Sequence, residues 1–469
     1  MYSSRKKNTN IYDEEHFRFA KPEEVGMTNK CFQSIASPVE MSFNFLYTPP
    51  SGTVEIAQKI EKVEDVGIPN GKSAASEGTF VQLLSRGPQD VYLTYNSEMS
   101  LFKRVYKRYT NFAVEQSEEK FSTTVRFGTK NTITVSKRGD LIGSMVLRVV
   151  LPNLNIAGGT WKDTMGYNIL AGTQLRIGDT RIQSTEGLWL DIDDKLFCPD
   201  SKYAGISKLV KRGEVLTTDK EWEMFIPLKF FCCKNTTSKQ QFIPILKLAT
   251  NINVYVDFTF KTLSSLVVIP VNTQFSDNVS IDAGLIVEYT FLGETEKYRF
   301  AQSPTRITFD RVRSIDKNTY LTTTDGQITN QTKVDIDLRE LNKPVKYFAI
   351  VAYPENDITG FKYSDIFEKG TFYLGSNQQF TPRASEYFSI VQKYQHFRRC
   401  DPGDNILTFS FALDATSFQP NGSLNFASYT KSKLSFHIVP QEIPKKIKVF
   451  SVSIDFLIFE NGTCRTLFN

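Results

Sequence analysis

From about residue 79 onward, apolar side chains recur at every second position. Met145, Leu147, Val149 and Leu151 alternate with Val146, Arg148 and Val150. Ile252, Val254, Val256, Phe258 and Phe260 alternate with Asn253, Tyr255, Asp257 and Thr259. A period of two sends successive side chains to opposite faces, so these runs predict half-buried strands. Leu407, Phe409, Phe411 and Leu413 predict another, as do Leu434, Phe436 and Ile438. The run from Ile447 to Phe459 changes phase between Val449 and Phe450, which predicts a bulge. Loops rich in Gly, Pro, Asn and Asp separate the runs and exceed two-residue hairpins. The pattern is that of antiparallel sandwiches with Greek-key crossings.

Residues 1–78 follow a different rhythm. They begin polar, and Ile56, Ile60 and Val63 then share one face of an expected amphipathic helix. Gly71 to Gly78 reads as a connector, so 1–78 is expected to be an N-terminal arm. Strand-rich sequence fills 79–263 and 284–469. Between them, 264–283 is rich in Ser, Asn and Asp and is expected to be a linker. The resulting expectation is an all-β chain of two consecutive sandwiches, with no simple sequence repeat between the halves.

Composition sharpens this picture. The 37 Phe and 20 Tyr favour pleated, half-buried surfaces, and 40% hydrophobic residues suffice for two cores. A net charge of +5 over 469 residues is too weak a bias to indicate nucleic-acid binding. No apolar run reaches transmembrane length, and the polar start lacks a secretory h-region, so cytosolic synthesis is expected. On that basis the sequons at Asn235, Asn278, Asn330, Asn421 and Asn461 are read as chance.

The candidates for chemistry are sparse. Six cysteines form no C-x-x-C pair and are expected to be free and mostly buried; on a strand, Cys232 and Cys233 would face opposite ways. Gly67 to Ser73 resembles a phosphate loop, but Val66 stands where the first glycine is required. Asp191-Ile192-Asp193-Asp194 lacks the rest of a calcium loop and is expected to be a solvated acidic loop. His396 and His437 are expected to pack or hydrogen-bond. No catalytic residue, metal ligand or cofactor-binding residue emerges, and an enzyme is not expected. Lys103, Arg104, Lys107 and Arg108 form a basic cluster across from Phe102, Tyr106 and Tyr109 on an expected short helix.

Several segments together resemble the major capsid proteins of nucleocytoplasmic large double-stranded DNA viruses. Gly87 to Thr94 continuing through Phe102 to Phe112 is similar to the family opening "G-x-Q-D-x-Y-L-T … F-K-x-V-Y-x-R-x-T-N-F", with Gln89, Asp90, Tyr92, Asn111 and Phe112 as its landmarks. Gly139 to Ile142, Leu175 to Ile182 and Phe225 to Phe231 resemble further landmarks in the family's order, as do Lys297 to Gln302 and Tyr387 to Phe397. Pro344 and Val345 match its "N-H-P-V-K". Pro420, Gly422, Asn425 and Phe426, after Ser410 to Leu413, match its "S-F-A-L … P-S-G-x-x-N-F-S".

The resemblance implies a double jelly roll, meaning two eight-stranded sandwiches with long loops and a few short helices. It implies a structural protein of an icosahedral capsid, assembling as a pseudo-hexagonal homotrimer in the virion. Synthesis and assembly would take place in the host cytoplasm. Expected partners are the chain itself, neighbouring capsomers, and minor capsid, penton and inner-membrane proteins, without sequence-specific nucleic-acid binding. Loops 153–165, 193–220 and 354–384 would build towers and intersubunit clasps. The basic cluster, placed just after the first strand, would face the virion interior, and the arm would tie neighbours together. The alternatives are a minor capsid paralogue or a vertex or adhesive glycan-binding sandwich protein.

Overall fold

The computed structural model describes residues 84, 87, 90 and 110–469, apart from 234–240, 271–277, 320, 325–326, 331, 355–360, 376, 430, 441–444 and 469. Sixteen principal strands build four antiparallel sheets. The first eight are β1 (Phe112–Lys120), β2 (Lys130–Val135), β3 (Leu141–Leu151), β4 (Leu170–Ile177), β5 (Thr180–Thr185), β6 (Trp222–Pro227), β7 (Val254–Phe260) and β8 (Ser280–Leu292). They pair as β1-β8-β3-β6 and β2-β7-β4-β5.

The next eight are β9 (Thr305–Asn318), β10 (Lys333–Asp337), β11 (Pro344–Pro354), β12 (Phe367–Leu374), β13 (Asn377–Gln378), β14 (Leu407–Ser410), β15 (Lys433–Ile438) and β16 (Lys445–Glu460). They pair as β9-β16-β11-β14 and β10-β15-β12-β13. Adding eight to every label of the first half reproduces the second. Both halves are therefore jelly rolls of one topology, a repeat that the sequence does not display.

Each jelly roll begins and ends on paired strands: Phe112 lies opposite Leu292, and Thr305 opposite Phe459. The segment 264–283, expected to be a linker, instead supplies a short Val267–Val268 ladder and the start of β8. β8 sits between β1 and β3 in the first sheet. The passage between the jelly rolls is the helix Glu294–Gln302. Two loop expectations change as well. The span 354–384 contains β12 and β13, and 193–220 contains helical turns described below.

The alternating runs fill the cores as expected. Met145, Leu147, Val149 and Leu151 face Val254, Val256, Phe258 and Phe260 inside the first sandwich, all 2% exposed or less. In the second, Phe348, Phe372, Phe411 and Phe426 pack edge-to-face or tilted, with ring centroids 5.6–5.9 Å apart. The run from Leu407 to Leu413 stays a strand only to Ser410, and Leu413 is 78% exposed.

β11 and β16 differ from the other strands because both their faces are buried. Phe348, Ile350 and Ala352 enter their own core, while Tyr347, Ala349, Val351 and Tyr353 join the core cluster of the first sandwich. On β16, Ile447 and Val449 face inward, and Phe450 and Val452 face the first sandwich. Its pairing with β9 runs unbroken from Lys446 to Phe459. The expected bulge at Val449–Phe450 is thus absent. The phase change reflects a strand buried on two sides, which reads as a continuous apolar run.

Candidate functional site

The seam between the jelly rolls is the most elaborate site in the described chain. Between β5 and β6, the first jelly roll inserts two helices, α1 (Gly187–Phe197) and α2 (Asp200–Leu209). Pro199 separates them. Gly187 begins α1 where a Cβ would collide with the carbonyl oxygens of Tyr167 and Leu170, so only glycine permits this close approach. Every residue of α1 except Phe197 is buried.

Its apolar side packs on the sheet β9-β16-β11-β14. The Trp189 ring lies 5.1 Å from Phe450, and Phe197 lies 5.8 Å from Tyr347 and 5.6 Å from Phe397. Polar ties cross the same seam. Gln183 donates to the Asp310 carbonyl at 2.6 Å, Arg399 donates its amide to the Leu196 carbonyl at 3.1 Å, and Lys448 pairs with Glu186 at 2.7 Å.

The acidic run Asp191 to Asp194 is therefore not a solvated loop. It lies on α1, with Asp191 and Asp194 0% exposed and Asp193 3%. Asp191 accepts from Arg212 at 2.6 Å, Lys195 at 2.8 Å and the Tyr363 hydroxyl at 2.8 Å. Asp194 accepts from Lys229 and from the Tyr167 hydroxyl, each at 2.5 Å. Asp193 lies 3.9 Å from Lys229. Three carboxylates thus meet three cations, so the charges of the group balance.

Protonation follows from this geometry. Burial, with Asp194 and Asp191 adjacent, lifts the Tyr167 and Tyr363 phenols well above the ordinary tyrosine range. Burial works to lower Lys229, but the Asp194 and Asp193 carboxylates prevail and raise it. Both phenols therefore remain donors and the lysine remains charged. The carboxylates are engaged by cations of the first jelly roll itself, and the second jelly roll reaches the group through the Tyr363 hydroxyl on Asp191 and through the Phe361 carbonyl, which accepts from Lys195 at 3.0 Å.

The family landmarks form a second constellation. Pro344 and Val345 at the start of β11 pair directly with Asn425 and Leu424. Asn425 caps the next turn by accepting the Ala427 amide at 3.0 Å, and Phe426 is buried against Phe348. Gly422 adopts φ +145°, where a Cβ would lie 2.6 Å from the Phe411 carbonyl. Pro420 lies in the same loop. Two landmarks almost 80 residues apart thus close one end of the second sandwich. Asn111 accepts the Gly293 amide at 3.2 Å, and Phe112 packs against the Leu141, Phe242 and Leu292 cluster. Asp90 accepts the Gly87 amide at 2.9 Å.

Gln89, Tyr92 and the basic residues Lys103, Arg104, Lys107 and Arg108 lie outside the described residues. They precede β1, the first strand among the described residues. Cys198, Cys232 and Cys464 are buried free thiols, Cys233 is half-buried and Cys400 is exposed. Cys232 and Cys233 occupy a turn, not a strand, with their sulfurs 3.8 Å apart. His396 Nδ1 lies 3.0 Å from the Leu413 carbonyl, and His437 is exposed on its strand.

Comparison with known proteins places this architecture. Residues 100–293 match the family model for the major capsid protein N-terminus, and 296–463 match that for the large eukaryotic DNA virus major capsid protein. The chain belongs to the major capsid protein family of large eukaryotic DNA viruses. The boundary between the two matches falls at the start of the helix Glu294–Gln302.

The major capsid protein of Pyramimonas orientalis virus is 26% identical over 424 residues, covering 82% of this chain and 98% of the relative. That of Paramecium bursaria Chlorella virus 1 is 26% identical, covering 76% and 86%. Among solved structures, PBCV-1 VP54 superposes with a TM-score of 0.67 at 22% identity, covering 78% of this chain and 99% of that one. The Faustovirus major capsid protein superposes with a TM-score of 0.59 at 9% identity, covering 80% and 94%. The fold is a double jelly roll.

Proposed function

We propose that this chain is a shell-building subunit of an icosahedral virion, assembling as a homotrimer whose six jelly rolls form a pseudo-hexagonal block. The observation carrying this reading is the seam. Two jelly rolls of identical strand order are fixed to each other by a common apolar cluster and by polar ties that cross between them, among them Tyr363 to Asp191, Gln183 to Asp310 and Lys448 to Glu186. One chain therefore supplies two like blocks in constant relation, and three chains supply six. Closed rings of identical subunits also cover faces that a lone chain would expose. The role is mechanical rather than catalytic, and the natural partners are further copies of the chain and neighbouring capsomers.

Light scattering and electron microscopy on the purified protein test the reading. Three copies of 53.4 kDa give about 160 kDa with hexagonal outlines. A monodisperse monomer at all concentrations would sink it.

A further inference from the structure

The seam inside one chain suggests how two chains meet. In the first jelly roll, the helix between the fifth and sixth strands, α1, covers the outer face of β9-β16-β11-β14. On that face Tyr347, Ala349, Val351, Phe450 and Val452 are 0–1% exposed. The second jelly roll carries a helical segment in the same topological place, between β13 and β14. It consists of a π-turn, Tyr387–Val391, running into a helix, Gln392–His396.

Three of the four exposed residues of this segment, Gln395 being the fourth, are apolar or aromatic. Ile390 and Val391 are 38% and 39% exposed, and Tyr394 is 82% exposed. Leu413, 78% exposed, sits beside it, because the Ala415 amide donates to the His396 carbonyl at 3.0 Å. The remaining partner of the repeat is the outer face of β1-β8-β3-β6. There Val146, Val150, Phe225 and Ile286 are half-buried around Arg148, which reaches Glu118 at 2.9 Å and Asp282 at 3.1 Å. This is the same sheet that, one jelly roll later, is sealed by a helix.

We infer that the segment Tyr387–His396 with Leu413 of one copy packs on the outer face of β1-β8-β3-β6 of the next copy. The contact repeats between chains what α1 does within one. It rests on the trimeric reading above and adds the two surfaces that meet. Each copy carries both surfaces at different places, so the contact is head-to-tail and builds a ring when the rotation closes. A solvated tyrosine and two aliphatic side chains on the helical segment, with a leucine from the neighbouring loop, form the apolar centre that such a contact needs.

Two measurements test it on the full chain. The double variant Tyr394→Glu with Leu413→Glu changes side chains that are largely solvated, so the subunit should keep its wild-type circular dichroism and melting. Its mass should fall about threefold, from trimer to monomer. Separately, Tyr394→Cys with Val146→Cys in a Cys400→Ser background should give intermolecular products with a bis-maleimide, and neither single cysteine should. A wild-type trimer whose double variant stays trimeric, or whose paired cysteines fail to link, overturns this contact and leaves the trimer standing. A monomeric wild type overturns both.

Discussion

Tyr167, Tyr363 and Lys229 hold protons in the folded seam that the unfolded chain releases more readily. Each has a folded-state pKa raised above its ordinary value, the phenols by burial beside Asp194 and Asp191, the lysine by Asp194 and Asp193 against burial. For all three the sign is the same. Their contribution is fully present below the unfolded values of about 10, and it is lost as pH rises beyond them. Urea midpoints should therefore hold near neutrality and fall above about pH 10. Replacing both phenols, Tyr167→Phe with Tyr363→Phe, should flatten that alkaline fall. An unchanged slope in the variant would show that the phenols are not its source.

At the scale of elements, α1 is the piece on which the seam depends. Trp189, 1% exposed, fills the space against Phe450. Trp189→Ala should cost about 3–5 kcal/mol, the usual range for removing a large buried ring. Chemical denaturation checks this, and a loss below about 1 kcal/mol would mean that the site collapses without penalty. Little of this element was legible in the sequence. Apart from Lys195, four residues on, the partners of Asp191 and Asp194, namely Arg212, Lys229, Tyr167 and Tyr363, lie between 21 and 172 residues away. No local spacing announces them, and an acidic run without visible partners reads as solvated. Strands with one wet face were legible, since Val254, Val256, Phe258 and Phe260 point inward as the alternation requires. β16 was not, because burial on both faces erases the alternation that marks a phase. The landmark pair at Pro344 and Asn425 could be recognised by resemblance, but that the two touch appears only in the fold.

Across the whole molecule, the two jelly rolls are unequal in what they leave uncovered. The second, taken alone, would present Tyr347, Ala349, Val351, Phe450 and Val452 to water, a contiguous apolar sheet face. Expressed separately, residues 294–469 should aggregate, and co-expression with the preceding part of the chain should recover soluble complex. Soluble, monomeric 294–469 would show that the seam is dispensable. The seam also bears on how an assembly responds to dilution. A contact between separate chains weakens by mass action as concentration falls, whereas a contact within one chain does not. In a six-block ring made from three such chains, every second contact is insensitive to dilution. Disassembly would therefore release blocks in pairs, and the single jelly roll would never become the unit of exchange.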